Sequence, residues 1–499
     1  MRYYLYVLSI LWLGLGCNDL DTLQSIPDLD VNAEYALPLL DSRIEMRSLI
    51  DDFDDQATIL VDDDGLLRFF YTGDTTIRDS REIFDQINAV LPPIIPIFDN
   101  PSGFSVANSS LDIDEVRFKA GRLEYTFFNA NSNSVNVTVT VLGIEKNGEP
   151  LQQTHQLGAF ENLPLQAFDM TDAVLIPQND SFFVSYEAIT AAGDLVGLEQ
   201  FFMLPKEFDY SYAEGALGAQ AFESPQDTLE IDYYSSWVGG NVFFQNPKVI
   251  LNIDNSFGFP AVAMAERFEI LTVDEQVLPL RSTLIDQGFA FNYPTFGEVG
   301  AVKETQFVFD TDNSNIAQVI GAGPTAVVYD LDVVTNPSAN SKGFLTDQSY
   351  FAYSIDAEFP LEGNIRGFTV NDTSSVNFSD FGSVESIEFK IVTASTIPME
   401  TSLQLYFLDD KTQLLDSLGT ESVTIIPAAE TDNLGNVIEE SESTAFVELD
   451  TAKFDRIRSA RFLVTSTAFF SPAKGRQLAR IKNDQGVDIG IGVKVRIGK

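Results

Sequence analysis

The chain has 499 residues, of which 44% are hydrophobic and 12% aromatic, so global disorder is excluded and about three domains of ordinary size are expected. With 74 acidic and 30 basic residues, the formal net charge is −44, and such a surface repels nucleic acid and anionic lipid headgroups. A single cysteine and a single histidine exclude a disulfide framework and metal sites built from several thiolates or imidazoles.

The chain begins with a pattern typical of an export signal. Arg2 supplies a positive charge, and residues 3–15 are almost wholly apolar, yet they are shorter than the roughly 20 residues that a spanning helix needs. Cys17 follows small residues, and the arrangement resembles the lipobox of bacterial lipoproteins. This resemblance implies removal of residues 1–16 as a signal peptide and attachment of lipid to Cys17. The alternative is an ordinary cleaved signal in which Cys17 is incidental.

The segments that follow differ in their periodicity. Residues 17–32 are rich in Asp and Asn and are predicted to form an acidic, solvated tether. The best helix signal lies at about residues 76–90, before Pro92 ends the pattern. Its expected apolar face consists of Ile77, Ile83, Phe84 and Ile87.

Most of the remaining chain is predicted to form β-strands. Strict alternation over residues 123–127 and 135–141 indicates strands with one buried face. The Asn-Gly pair at 147–148 predicts a hairpin, because both residues tolerate positive φ. Ile253 shares one strand face with its apolar neighbours two and four positions earlier, so we expect it to be buried. In the last strand, the β-branched residues at odd positions of 489–497 share one side.

A recurring order of elements divides the chain. Alternating segments at residues 110–114, 228–232 and 375–379 are each followed by a strand, a polar turn and a second strand. Their spacing is too long for a solenoid and fits tandem sandwich domains. The sequence therefore predicts an all-β fold of about three tandem Ig-like β-sandwich modules. These modules are placed at residues 33–215, 220–340 and 345–499.

Several short segments carry a resemblance to known proteins. Residues 245–260 combine an Asn-Pro pair, an alternating strand and an aromatic-Gly-x-Pro turn, and further marks lie at residues 36–39, 64–66 and 357–361. Together they resemble uncharacterised exported lipoproteins of the Bacteroidota, and the first segment is also similar to the Ig-like domain of water-stress proteins. The resemblance implies sandwich modules and an outer-membrane lipoprotein that faces the periplasm or the cell surface. It implies no activity.

The sequence offers little that is typical of catalysis. His155 lies in a predicted strand without a Gly-x-Ser-x-Gly elbow elsewhere in the chain, so we predict a solvent-facing strand residue rather than a member of a triad. Paired carboxylates are the one catalytic device left open. A glycan hydrolase of that kind needs one acid whose pKa is raised by an apolar pocket.

Two acidic turns are candidates for a structural Ca²⁺ ion. Asp62 and Asp64 lie in one turn, and Asp310 and Asp312 lie in another, so that each turn presents several hard oxygen ligands. Neither turn fits the EF-hand loop. The alternative is that both are solvated β-turns, in which case no cofactor is expected.

The densest aromatic segment, residues 233–240, is a candidate ligand site. Tyr233, Tyr234 and Trp237 could stack on the apolar faces of sugar rings, while acidic neighbours accept hydrogen bonds from hydroxyl groups. The alternative is that these rings pack at a domain joint or in a core.

These observations favour a non-enzymatic cell-envelope lipoprotein that binds or scaffolds a protein or glycan partner. Its expected contact with the membrane is the lipid on Cys17. The competing hypothesis is a glycan-active hydrolase that uses a pair of carboxylates. A deep pocket with two converging carboxylates and aromatic walls would favour the enzyme.

Overall fold

The computed structural model describes residues 33–46, 57–107, 111–217, 219–232, 237–336, 341–376 and 384–497. Within these ranges antiparallel strands dominate, which confirms the predicted all-β, sandwich-type fold. The strands of the first half are β1 (Ala33–Glu45), β2 (Ala57–Val61), β3 (Leu67–Thr72), β4 (Thr76–Asp79), β5 (Ile95–Pro96), β6 (Ser102–Ser105), β7 (Asp112–Phe128), β8 (Val135–Lys146), β9 (Glu149–Leu157), β10 (Gln166–Asp169), β11 (Val174–Leu175), β12 (Ser181–Thr190), β13 (Glu199–Ala216), β14 (Gln220–Phe222), β15 (Asp227–Glu230), β16 (Trp237–Phe244) and β17 (Lys248–Asn255).

The second half continues the same antiparallel pattern. Its strands are β18 (Ala261–Thr272), β19 (Val277–Pro279), β20 (Phe289–Ala290), β21 (Lys303–Phe309), β22 (Pro324–Thr335), β23 (Gly343–Thr346), β24 (Tyr350–Pro360), β25 (Glu362–Ser375), β26 (Val384–Ser395), β27 (Glu400–Leu408), β28 (Leu414–Ser417), β29 (Val423–Ile426), β30 (Glu430–Thr431), β31 (Val437–Glu439), β32 (Ser441–Asp450), β33 (Phe462–Phe470), β34 (Ala479–Arg480) and β35 (Gly486–Ile497). The helices are short: α1 (Arg81–Val90), α2 (Thr283–Gln287), α3 (Ile316–Ile320), α4 (Thr451–Ile457), α5 (Pro472–Gly475) and a 3₁₀ turn (Phe296–Glu298). None of the helices in the described ranges has the length and apolar character needed to cross a bilayer.

The predicted helix begins later than the sequence pattern suggested. Ile83, Phe84 and Ile87 are buried on α1 as expected. Ile77, however, is 60% exposed and lies on β4, which pairs with β24. The backbone groups of residues 76–79 are used in this strand pairing, so the helix starts only after Ser80.

A ten-stranded sheet contains the strands whose alternation was clearest in the sequence. Its main order is β23-β13-β7-β11-β8-β12-β6, and residues 123–127 and 135–141 alternate between buried and outward positions as predicted. Asn147 and Gly148 have φ values of 56° and 80° and join β8 to β9, which confirms the hairpin. Long alternating strands thus supply one apolar face to a shared core.

Two six-stranded sheets pack against each other. The central sheet has the order β2-β3-β24-β17-β21 with β4 beside β24, and the facing sheet has the order β14-β22-β18-β19 with β15 and β20 beside it. The ring centroids of Phe268 and Phe309, one from each sheet, are 5.1 Å apart, and those of Phe222 and Phe351 are 5.5 Å apart. Ile253 on β17 lies in this core, so its predicted burial is confirmed.

The C-terminal part of the chain builds a third sandwich-like pair of sheets. A four-stranded terminal sheet, β1-β35-β26-β32, lies against a seven-stranded sheet with the order β16-β25-β33-β27-β28, which β29 and β34 extend. Phe407, Leu449 and Phe454 belong to one apolar cluster between them. On β35, Ile489, Val493 and Val495 are buried on the same side, as the alternation predicted.

Strand pairing departs from the predicted contiguous modules. β1 pairs with β35, β3 pairs with β24, and β23 pairs with β13, so strands assigned to different modules share sheets. Residues 33–45 and 57–79, assigned to the first module, lie in the terminal and central sheets instead of the ten-stranded one. Alternation defines which face of a strand is buried and leaves its pairing partner undetermined. The boundaries between the modules therefore remain a prediction.

Candidate functional site

The outer surface of the central sheet carries a group of partly buried polar side chains. On β24, Ile355, Ala357 and Phe359 are buried, so the intervening Asp356 and Glu358 project from the opposite face. Register places Thr72 and Ile250 beside Asp356, with one on each flanking strand. We call this surface the polar face; it consists of Arg68, Phe70, Asn252, Gln306, Asp356 and Glu358.

Arg68 holds two carboxylates at one end of the polar face. Its guanidinium lies 2.7 Å from both carboxylate oxygens of Asp62 and 2.5 Å from Oε2 of Glu358. The side chains of Arg68 and Glu358 are only 22% and 13% exposed. Ion pairs shielded to this degree fix side-chain geometry more firmly than exposed pairs do.

A relay of side-chain hydrogen bonds leads to Asp356. Gln306 Nε2 donates to Asn252 Oδ1 at 2.8 Å, and Asn252 Nδ2 donates to Asp356 Oδ2 at 2.6 Å. Burial raises the pKa of Asp356, and the nearby charge of Glu358 raises it further, whereas Asn252 and Thr72 favour the charged form. Asp356 Oδ1 is buried, and among the described residues no hydrogen bond to it is formed, so a ligand could reach this oxygen only if neighbouring side chains moved.

The same two carboxyl groups meet part of the requirement for glycoside hydrolysis. Asp356 and Glu358 lie two positions apart on one face, which separates their Cα atoms by about 7 Å. Their environments differ, because Asp356 is shifted toward the neutral form and Glu358 is paired with Arg68. Glycoside hydrolysis also needs a concave site around the two carboxyl groups. Two cavities formed by described residues have volumes of about 110 and 100 Å³, and each has a single carboxylate in its wall, Glu362 and Asp274 respectively.

The polar face escaped sequence reasoning, although a signal for it exists. Residues 350–360 are mostly apolar, and Asp356 and Glu358 interrupt them at alternate positions. Such a pattern marks a strand with one buried face and one polar face. Arg68 and Asn252 could not be associated with it, because their strands become neighbours only through pairing of distant segments.

The first acidic turn directs its carboxylates to arginines. Asp62 is bound by Arg68, while Asp64 accepts from the Leu66 amide at 3.2 Å and from Arg480 at 2.8 Å. The amide of Leu66, together with Arg480 and Lys482, holds the pKa of Asp64 below its ordinary value. Arg68 and Arg480 therefore donate to the same carboxylate oxygens that would act as ligands of a Ca²⁺ ion.

The second acidic turn stabilises its own backbone. Asp310 Oδ1 accepts from the amides of Asp312 and Asn313, at 2.9 and 3.2 Å. This is the local Asx pattern of a turn. Across the described ranges, no group of three or more His, Cys, Asp or Glu side chains is arranged to hold a metal ion. Binding of Ca²⁺ by either turn therefore stays a prediction.

The other predicted site residues fall largely outside the described residues. Cys17, Tyr233 and Tyr234 lie outside the described ranges. The backbone of Trp237 begins β16, but its side chain is not described. Lipid attachment and glycan stacking at these positions stay predictions.

His155 is half-buried rather than solvent-facing, so that prediction was wrong. Its Nε2 atom lies 2.6 Å from the hydroxyl of Tyr125, which in turn donates to Gln153 Oε1 at 2.7 Å. Because Leu151 and Leu157 share its face of β9, alternation places the imidazole toward the core. Burial lowers the pKa of His155, which favours the neutral ring.

This environment predicts a pH dependence. The unfolded chain binds a proton at His155 near pH 6.5, whereas the folded chain binds it only at lower pH, so stability should fall as the pH drops below about 6.5. The loss should stay within about 1 kcal/mol, because the ring is only half-buried. As the chain's only histidine, its imidazole signals can be titrated alone by NMR. A midpoint at or above 6.5, or the same acid sensitivity in His155→Gln, would contradict this account.

Comparison with known proteins adds little to this geometry. No family model matches the chain, and none of the curated proteins is similar to it in sequence. Among solved structures, a protein from Parabacteroides distasonis ATCC 8503 described as secreted is 11% identical, with a TM-score of 0.30, covering 58% of this chain and 90% of that one. The infectious bursal disease virus VP2 subviral particle is 8% identical, with a TM-score of 0.14, covering 80% of this chain and 75% of that one. At these TM-scores the likenesses carry no conclusion about activity, partners or compartment.

Proposed function

We propose that the chain is an exported, non-enzymatic binding protein that recognises a neutral glycan on the polar face of the central sheet. The observation that carries this proposal is the relay of hydrogen bonds from Gln306 through Asn252 to the carboxyl group of Asp356. Amide and carboxyl groups fixed by one another are suited to sugar hydroxyls, which both donate and accept hydrogen bonds.

The neighbouring side chains support the same ligand class. Phe70 lies beside Glu358 in register and is partly exposed, so its ring is available to the apolar face of a sugar. Arg68 is already engaged by two carboxylates and leaves little positive charge for an anionic ligand. The net charge of −44 also opposes acidic glycans. A neutral glycan fits these charges best.

The proposal can be tested with the purified full chain on an array of neutral glycans, followed by calorimetry on the glycans that bind. Asn252→Ala should weaken binding by about tenfold or more, because it removes a donor to a charged or partly charged acceptor. Gln156→Ala is the matched control, since Gln156 is an exposed amide on β9, which belongs to the ten-stranded sheet and not to the central sheet. Equal binding by the parent chain and both variants would rule out the polar face as the site. Binding to none of the neutral glycans would rule out this ligand class.

A glycan-active hydrolase is the second candidate, favoured by the different environments of Asp356 and Glu358. It predicts that the full chain releases reducing sugar from a glycan it binds, and that Asp356→Asn or Glu358→Gln abolishes this release. Binding without release supports the binding protein.

For the compartment, we propose an envelope lipoprotein attached through lipid on Cys17. The apolar segment before Cys17 and the small residues preceding it support this assignment. A chain with Cys17→Ser should no longer incorporate a palmitate analogue. Labelling that persists in this variant would show that the lipid is carried elsewhere.

A further inference from the structure

An apolar cavity lies where the central sheet meets the seven-stranded sheet. Its volume is about 110 Å³. Leu67 and Phe69 of β3 form part of one wall, and Phe244 of β16 and Phe469 of β33 form part of another. Protein interiors rarely contain voids much larger than a water molecule, so a space of this size between two sheets is unusual.

The walls are unsuited to water. Among the side chains that line the cavity, only Glu362 and Thr401 carry oxygen atoms. The Glu362 carboxylate is directed toward Arg480, whose Nε lies 3.5 Å from Oε2. A buried water needs two to four polar partners, whereas apolar cavities of comparable volume stay dry and take up benzene or xenon. The chemistry of the walls therefore selects an apolar occupant.

We infer that this cavity is a binding site for a small neutral apolar molecule, of the size of one aromatic ring or a short alkyl chain. No Lys, Arg or His side chain lines it, so an anionic headgroup would find no counter-charge there. Met46 and Met399 contribute flexible, polarizable side chains to the walls, which can adjust to ligands of differing shape. A ligand of this kind would gain dispersion contacts with the apolar side chains of the walls.

Ala479 offers a way to fill the cavity without a ligand. It is buried, lies on β34 and lines the cavity, so Ala479→Leu would place three further carbon atoms in the space. Ala120→Leu is the matched control, because Ala120 is an exposed residue of β7 in the ten-stranded sheet. Both changes add the same apolar volume, but only one of them adds it to the cavity.

The experiment uses toluene as the neutral probe and octanoate as an anionic alkyl probe, with the full chain labelled at its methionine methyl groups. Toluene should shift the NMR signals of Met46 and Met399 and raise the melting temperature by about 2–4 °C. Ala120→Leu should keep both responses, and Ala479→Leu should lose them. Unchanged methionine signals in the parent chain would overturn the inference even if Ala479→Leu fails to fold. A response to octanoate but not to toluene would also overturn it, since the ligand would then be anionic.

Discussion

Replacing Ile253 by Asp should destabilise the central sandwich by about 4 kcal/mol or more, because the new carboxylate would lie in an apolar core without a partner. Ile253 is 1% exposed on β17, between Tyr353 of β24 and Thr305 of β21. Urea unfolding should show a lower midpoint, and hydrogen exchange should show loss of protection first in β17 and its two neighbours. Such a local onset would identify the core that was damaged.

Val277→Asp is the control for this substitution. Val277 belongs to β19 in the facing sheet and is 49% exposed, so the same change in chemistry should alter stability by no more than about 0.5 kcal/mol. If Ile253→Asp and Val277→Asp unfold at the same urea concentration, the face of β17 that we describe as buried must be solvated.

Replacing Arg68 by Met should be the second most damaging change, with an expected loss of about 2–3 kcal/mol. Removing one partner of a fully buried ion pair lowers stability by about 3–5 kcal/mol. We expect a smaller loss here, because Arg68 and Glu358 are partly exposed to solvent. The substitution leaves the carboxylates of Asp62 and Glu358 without their cation. Chemical denaturation of the full chain is the measurement.

A double-mutant cycle separates the charge from the packing. Glu358→Gln combined with Arg68→Met should recover part of the stability, because one unpaired carboxylate has been removed. Arg117→Met is the exposed control, since Arg117 pairs with Glu115 at the surface and its loss should cost less than about 1 kcal/mol. Strictly additive losses in the cycle would show that Arg68 and Glu358 do not interact, and the description of the polar face would then be incorrect.

The two sites differ in how far sequence reasoning could reach them. The alternation through Asp356 and Glu358 is visible in the sequence. The other residues of the polar face join it only because β3 and β17 pair with β24 and β21 pairs with β17. The apolar cavity has no sequence signal at all. It arises because side chains from two sheets fail to fill the space between them, and that mismatch depends on how the sheets meet.

The first acidic turn shows a different limit of sequence reasoning. In the sequence, Asp62 and Asp64 look like ligands of a metal cation. In the folded chain, the side chains of Arg68 and Arg480 donate hydrogen bonds to these two carboxylates. Arg480 lies more than four hundred positions from Asp64. Local composition cannot anticipate a counter-ion contributed by such a distant segment.

The sequence by itself determined the all-β class, the buried faces of the clearest strands, the hairpin at Asn147 and Gly148, and the burial of Ile253. These follow from the period-2 geometry of a strand and from the φ preferences of single residues, both of which are local properties. The tertiary structure alone decided that β1 joins β35 and that β3 joins β24, and hence where the polar face and the cavity lie. Backbone hydrogen bonds are nearly the same for any pair of strands, so the choice of partner is made by the packing of the whole chain.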